Sequence, residues 1–118
     1  MTSAQAAGGP TRFRDQAISF GEIADGRNIE IPSASPINYH QVISAPAAMP
    51  RVTIDGKLFL PQRSRSEKLP LVMIVPGSLG VAPSHVAHAE ALTRAGFATF
   101  VLDSFGARGV TSTVANQT

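Results

Sequence analysis

The chain contains no cysteine and no tryptophan, and only one tyrosine and six phenylalanines among 118 residues. The lack of cysteine excludes disulfides, thiolate metal sites and a cysteine nucleophile from these residues. So few rings leave little material for the stacking platforms that bind single-stranded nucleic acid. Charge is scarce as well. Only 15% of residues are charged, the formal net charge is +2, and the arginines at 12, 14, 27, 51, 63, 65, 94 and 108 are scattered. They form no stripe of the kind that binds nucleic acid. No run approaches the ~18 apolar residues of a membrane span. The opening "MTSAQAAGGPTRFRDQ" lacks the apolar centre of a secretory signal. These absences lead us to expect a soluble, cytoplasmic protein that needs neither nucleic acid nor membrane.

What is present is enough to fold: 43% of residues are hydrophobic, too many for a chain disordered throughout, and the length allows one core. Residues 1–15 are small, polar and Gly/Pro-bearing, and read as a disordered terminus. The packed region then spans residues 16–118. Residues 17–50 carry short apolar groups, "AISF", "IEI" and "QVIS", broken by prolines at 32, 36, 46 and 50, which predicts an irregular segment with one or two edge strands. In "RVTIDGKLFLP", Val52 and Ile54 alternate before Asp55-Gly56, and Leu58 and Leu60 alternate after it. Asp-Gly between alternating runs predicts a two-residue β-hairpin. "PQRSRSEKLP" is then a surface loop, and "LVMIV" is a continuous apolar strand of the kind buried on both faces of a parallel sheet. Pro83 opens a helix that runs through "SHVAHAEALTRAG", with Gly96 placed for a left-handed cap. "FATFVLD" is the next strand, so a βαβ unit follows the hairpin. The fold class is α/β.

The turn "PGSLG" after "LVMIV" admits three chemistries. Its resemblance to a G-x-S-x-G nucleophile elbow is spoiled by the three residues Val81, Ala82 and Pro83 before the helix, and by the absence of any histidine after His88. A nucleotide site would use Gly77 and Gly80, with Asp103 ending the next strand, but the three-glycine fingerprint is incomplete. Alternatively, the turn's backbone N–H groups stabilise a developing oxyanion. An ordinary βα turn fits as well. His85 and His88, three apart on one helix, lack a third metal ligand and read as a half-buried pair without metal, while His40 in a proline-rich loop carries no signal.

The pieces "LFLP", "LPLVMIVPGSLG" and "AEALTRAGFATFVLDSFGARGVTSTVANQ" together resemble the dienelactone hydrolase family of α/β-hydrolases, over residues 51 to about 117. Pro76-Gly77 stands where the family often has His-Gly. The resemblance implies a partial α/β-hydrolase fold, the N-terminal portion of a mostly parallel sheet, with nucleophile, acid and histidine of the triad downstream of these residues. It places the backbone N–H of Ser78 in the oxyanion hole, with Gly77, Leu79 and Gly80 shaping that loop, and puts Arg108 near a substrate carboxylate. Pinning of the exit loop, for instance through Asp103, is the other reading of Arg108. No cofactor or metal is implied, and the substrate class is an ester or lactone. Residues 1–118 alone are then expected to be inactive and to self-associate through "LVMIV", left as an uncovered edge. The competing class is a non-catalytic βαβ module that binds a nucleotide or a partner through the same turn.

Overall fold

The computed structural model describes residues 12–62 and 68–114. Its centre is a four-stranded sheet built from β1 (Arg27–Ala34), β2 (Arg51–Phe59), β3 (Leu71–Ile74) and β4 (Ala98–Asp103), with two helices, α1 (Tyr39–Ser44) and α2 (Pro83–Arg94). The strand order is β1-β2-β4-β3. β1 and β4 flank β2 in antiparallel fashion, while β3 runs parallel to β4, so β3, α2 and β4 form the expected βαβ unit. None of the described helices is long and apolar enough to cross a membrane.

The helix obeys its sequence signals. Pro83 occupies the first turn, where a missing N–H costs nothing. At the other end Gly96 takes φ +104, its N–H donating to the Thr93 carbonyl, while the N–H of Phe97 reaches back to Leu92. That pair of bonds is a Schellman closure, which only a residue without Cβ forms cheaply. Thr93, almost fully buried under the helix, gives its hydroxyl to the Ala89 carbonyl at 2.7 Å and also meets the Thr99 hydroxyl of β4 at 3.1 Å. A polar pair can lie between helix and sheet because both hydroxyls are satisfied.

The Asp55-Gly56 hairpin does not form. β2 runs uninterrupted through both residues and pairs with β1 on one side and β4 on the other. Its alternation of Val52, Ile54 and Leu58 stays in phase across Asp-Gly, and that pattern describes a continuous strand equally well. Gly56 is there for space: an added Cβ would lie 2.4 Å from the Phe100 ring and 2.5 Å from the Val101 carbonyl oxygen. The antiparallel neighbour that precedes β2 in the chain is β1, joined to it by the 16-residue connection 35–50. "IEI" therefore lies within the edge strand, whereas "QVIS" belongs to α1.

The two faces of the sheet differ. One is covered by α2 and by residues 12–26, where Phe13, Phe20, Ala24, Phe59, Ala89 and Val101 form the buried core. Phe20 and Phe59 stack with ring centroids 4.3 Å apart. Phe13 belongs to this core and opens a short 3-10 turn, Phe13–Asp15, so the disorder expected over residues 1–15 does not hold for these three. Residues 1–11 of that segment, and 63–67 of the expected surface loop, lie outside the described residues. The opposite face carries Ile54, Phe100 and, on β3, Leu71 and Met73. The expectation that "LVMIV" is buried on both faces is thus corrected: Leu71, Met73 and Val75 are all more than half exposed. β3 is an edge strand. Because the Pro70 carbonyl takes the Ala98 N–H, the period of a parallel ladder turns the backbone groups of Leu71 and Met73 away from β4.

Two outcomes follow. Gly56→Ala should destabilise the fold by ~2 kcal/mol or more, because the obstructing carbonyl is backbone and cannot swing aside; thermal unfolding would report it, and an unchanged melt would mean that β2 and β4 are spaced otherwise. Met73→Lys places a charge on the open edge and should raise solubility and lower light scattering at high protein concentration. Scattering unchanged by the lysine would remove the edge as a cause of association.

Candidate functional site

The ends of β3 and β4 lie side by side, and the segments leaving them frame a cleft of about 290 Å³. One wall is the turn at residues 77–80. There the Gly80 N–H closes on the Gly77 carbonyl at 3.0 Å, and the Ser78 carbonyl accepts the Thr113 N–H at 2.8 Å. Gly80 has φ +76 and lies against the Phe105 ring, where a Cβ would come within 3.2 Å. Glycine at this position thus serves both backbone conformation and close packing. Leu79 projects outward, 72% exposed.

The second wall is the exit of β4. Asp103 is buried, and its Oδ1 accepts the N–H groups of Phe105 and Gly106, each at 3.0 Å. Those bonds fold the chain into the 3-10 turn Gly106–Arg108, which Gly109 ends at φ +69. Arg108 then fastens this loop to the end of β1. Its Nε donates to Ser35 Oγ at 2.9 Å, Nη1 to the Ser104 carbonyl at 2.7 Å and Nη2 to the Ala34 carbonyl at 3.0 Å. Loop pinning is therefore what its guanidinium does here, through carbonyls and a serine and not through Asp103. A carboxylate reaching Arg108 would share the fork with these three acceptors.

The third wall consists of Arg12, Phe13 and Gln16. Arg12 Nη2 lies 2.7 Å from Asp55 Oδ2, and the Asp55 side chain is only 2% exposed. Asp55 is the direct cross-strand partner of Asp103, so two carboxylates stand together on one face of the sheet, one midway along β2 and the other where β4 ends. Burial pushes the Asp55 carboxyl above its ordinary 3.8; the Arg12 charge opposes this, and the Asp103 charge adds to it. Beside it Lys57, equally buried, donates to Asn28 Oδ1 at 2.7 Å and to the Arg14 carbonyl at 3.2 Å, and its ammonium lies 5.4 Å from the centre of the Phe13 ring. Burial lowers the Lys57 pKa from 10.5, against the pull of Asp55 and Asp15. Sequence reasoning missed this cluster. Asp55 was read as a turn residue and Arg12 as part of a mobile terminus; the one signal available was the in-phase alternation of β2 with charges on its other face.

Of the residues singled out in the sequence, Leu79, Gly80 and Asp103 line the cleft, Gly77 lines a separate small recess together with Gly80 and Asp103, and Ser78 and Arg108 line neither. The histidines take no part. His85 accepts the Ala82 N–H on Nδ1 at 2.8 Å, which caps the start of α2 and requires that nitrogen to be unprotonated. His88 and His40 are exposed, and among the described residues no three His, Cys, Asp or Glu side chains converge as a metal site would require. No protein-family model matches this chain, and no curated protein and no solved structure is significantly similar to it.

The raised Asp55 pKa carries a sign. A folded state that holds the proton more tightly than the unfolded chain loses stability as pH rises from 3.8 through the folded value. Urea unfolding across roughly pH 4 to 7 should show this decline in the wild type and a flatter profile in Asp55→Asn. Identical slopes would show that Asp55 titrates in the fold as it does in the unfolded chain.

Proposed function

We propose that these residues form the N-terminal portion of an ester or lactone hydrolase of the dienelactone hydrolase type, acting in the cytoplasm without a cofactor. The observation that carries this reading is the strand order β1-β2-β4-β3. An antiparallel start followed by a parallel βαβ unit whose third strand lies outside the fourth suits an α/β-hydrolase sheet, in which the next strand would be added beside β3. The turn at 77–80 and the loop after Asp103 also meet in one cleft at the carboxyl ends of parallel strands, where open α/β sheets place their chemistry.

In this proposal the turn contributes main-chain chemistry. The Ser78 N–H is aimed at the oxygen of a tetrahedral intermediate, and Gly77 and Gly80 let the backbone come close. The Thr113 N–H bonds the Ser78 carbonyl and so fixes the Ser78–Leu79 peptide unit, next to the unit that carries the Ser78 N–H, and the Phe105 ring packs against Gly80. Such a donor must be fixed before charge develops, because reorganisation during the reaction would consume the benefit. Arg108 keeps the facing loop in register, and a substrate carboxylate would share its fork with the three acceptors already there. The attacking group belongs to the portion that the resemblance places downstream.

A nucleotide-binding module draws less support. Its ribose ligand would be Asp103, whose carboxylate already accepts two loop N–H groups, and its phosphate would compete with the His85 ring at the start of α2.

Residues 1–118 alone should show no turnover of activated esters above buffer background, since a stabilised oxyanion without a nucleophile is never formed. In the complete hydrolase, Ser78→Ala should leave kcat nearly unchanged, whereas Ser78→Pro should lower it by ~10²-fold through loss of one N–H donor. Equal, severe losses for both variants would transfer the role to the hydroxyl and revive the nucleophile reading.

A further inference from the structure

The segment 12–16 crosses the helix-covered face of the sheet, seated there by the side chains of Arg12 and Phe13 and tied by the Arg14 carbonyl, which accepts Asn28 Nδ2 at 2.9 Å and Lys57 Nζ at 3.2 Å, while Arg14 Nη1 stays 3.9 Å from Asp55 Oδ2. Phe13 is buried, while Arg14, Asp15 and Gln16 are exposed. Arg12 is seated on Asp55 by a single bond, Nη2 to Oδ2. A guanidinium normally meets a carboxylate with two parallel bonds. In this pair the remaining groups, Arg12 Nε and Asp55 Oδ1, are both buried and have no hydrogen-bond partner. The tether therefore holds Arg12 short of the geometry that its seat offers.

The same segment divides two clefts. Phe13, Gln16 and Val81 line the cleft at the strand exits and also a second one, of about 400 Å³, that runs along the start of α2 past Pro83 and Val86. Lifting residues 12–16 would join the two into one groove. Its polar end would be the carboxylates Asp55 and Asp103, and its apolar part Val81 and Val86 with Ile18 at the side.

We infer that residues 12–16 are a displaceable strap, occupying in cis a groove that accepts a guanidinium beside an aromatic ring. Arg12 and Phe13 are the occupant: the cation sits on Asp55, and the ring lies under the Lys57 ammonium. Release of the strap exposes a guanidinium site and opens a continuous groove beside the turn at 77–80. This inference stands apart from the hydrolase reading, and its test needs no turnover.

Arg12→Gly empties the guanidinium position while leaving the rest of the chain intact. Added methylguanidinium, at roughly 50 mM and far below the denaturing range, should raise the Tm of this variant saturably by ~5 °C, and should do nothing for the wild type or for Arg12→Gly combined with Asp55→Asn. Hydrogen exchange on the unsubstituted chain provides a reading that does not depend on a variant folding. The amides of Asp15 and Gln16, which donate to the carbonyls of Arg12 and Phe13, should exchange through an opening that leaves β4 protected. Absence of a methylguanidinium effect in a folded Arg12→Gly would overturn the guanidinium site. Exchange of the two amides only with global unfolding would overturn the strap.

Discussion

Two carboxylates, Asp55 midway along β2 and Asp103 at the end of β4, stand next to each other on one face of the sheet, and each must be supplied with its own donors to stay there. Asp103 takes backbone N–H groups from its own exit loop, and Asp55 takes the guanidinium of Arg12. Much of the cleft follows from that requirement. The first set of bonds curls the chain into the turn at Gly106–Arg108, which puts Arg108 within reach of β1; the second draws residues 12–16 across the sheet and buries Phe13. The cleft is the space left between those two solutions and the turn after β3. A lone buried carboxylate would lose its proton only at considerable cost. Two side by side make the arrangement still more dependent on the cation brought from residue 12.

The construction explains why the residues of the proposed site are so firmly held. Arg108 makes three hydrogen bonds, Gly80 packs against Phe105, and the Ser78 carbonyl is tied to Thr113. Loops that carry function are most useful when a rigid scaffold presents them. The strap is held differently: its salt bridge is monodentate and most of its residues are exposed. A breakable ion pair of this kind adds little net stability while its half-removal is costly, which suits an element that is docked or released as a unit.

The unequal faces of the sheet bear on the same region. Phe100 is buried on the face opposite α2 because its ring lies over Gly56, and the apolar side chains of β3 beyond it stay open. The free edge and the open face adjoin, so a further strand and a covering helix would complete both together. That geometry accords with the proposed hydrolase, and the same edge is where the expected self-association would take place.

Local physics made much of this legible in the residues. The helix was bounded by Pro83 and Gly96 because a missing N–H and a missing Cβ each have one favourable place in a helix. The βαβ unit followed from two apolar runs flanking it. The turn at 77–80 was recognisable by its glycines. Asp55-Gly56 was not, because the same dipeptide serves a hairpin or a strand crossed by a neighbouring ring, and only the position of Phe100, more than forty residues away, decides between them. Arg12 and Asp55 are 43 residues apart and acquire their relationship only when β2 lies under the strap. Arg108 could be read as a substrate ligand or as a loop clamp until Ala34 and Ser35 came within reach of it. The sequence by itself determined the elements with local caps and periodicity. Tertiary structure decided which charges meet, because a side chain's partner is set by the strand order that brings distant residues to the same part of the sheet.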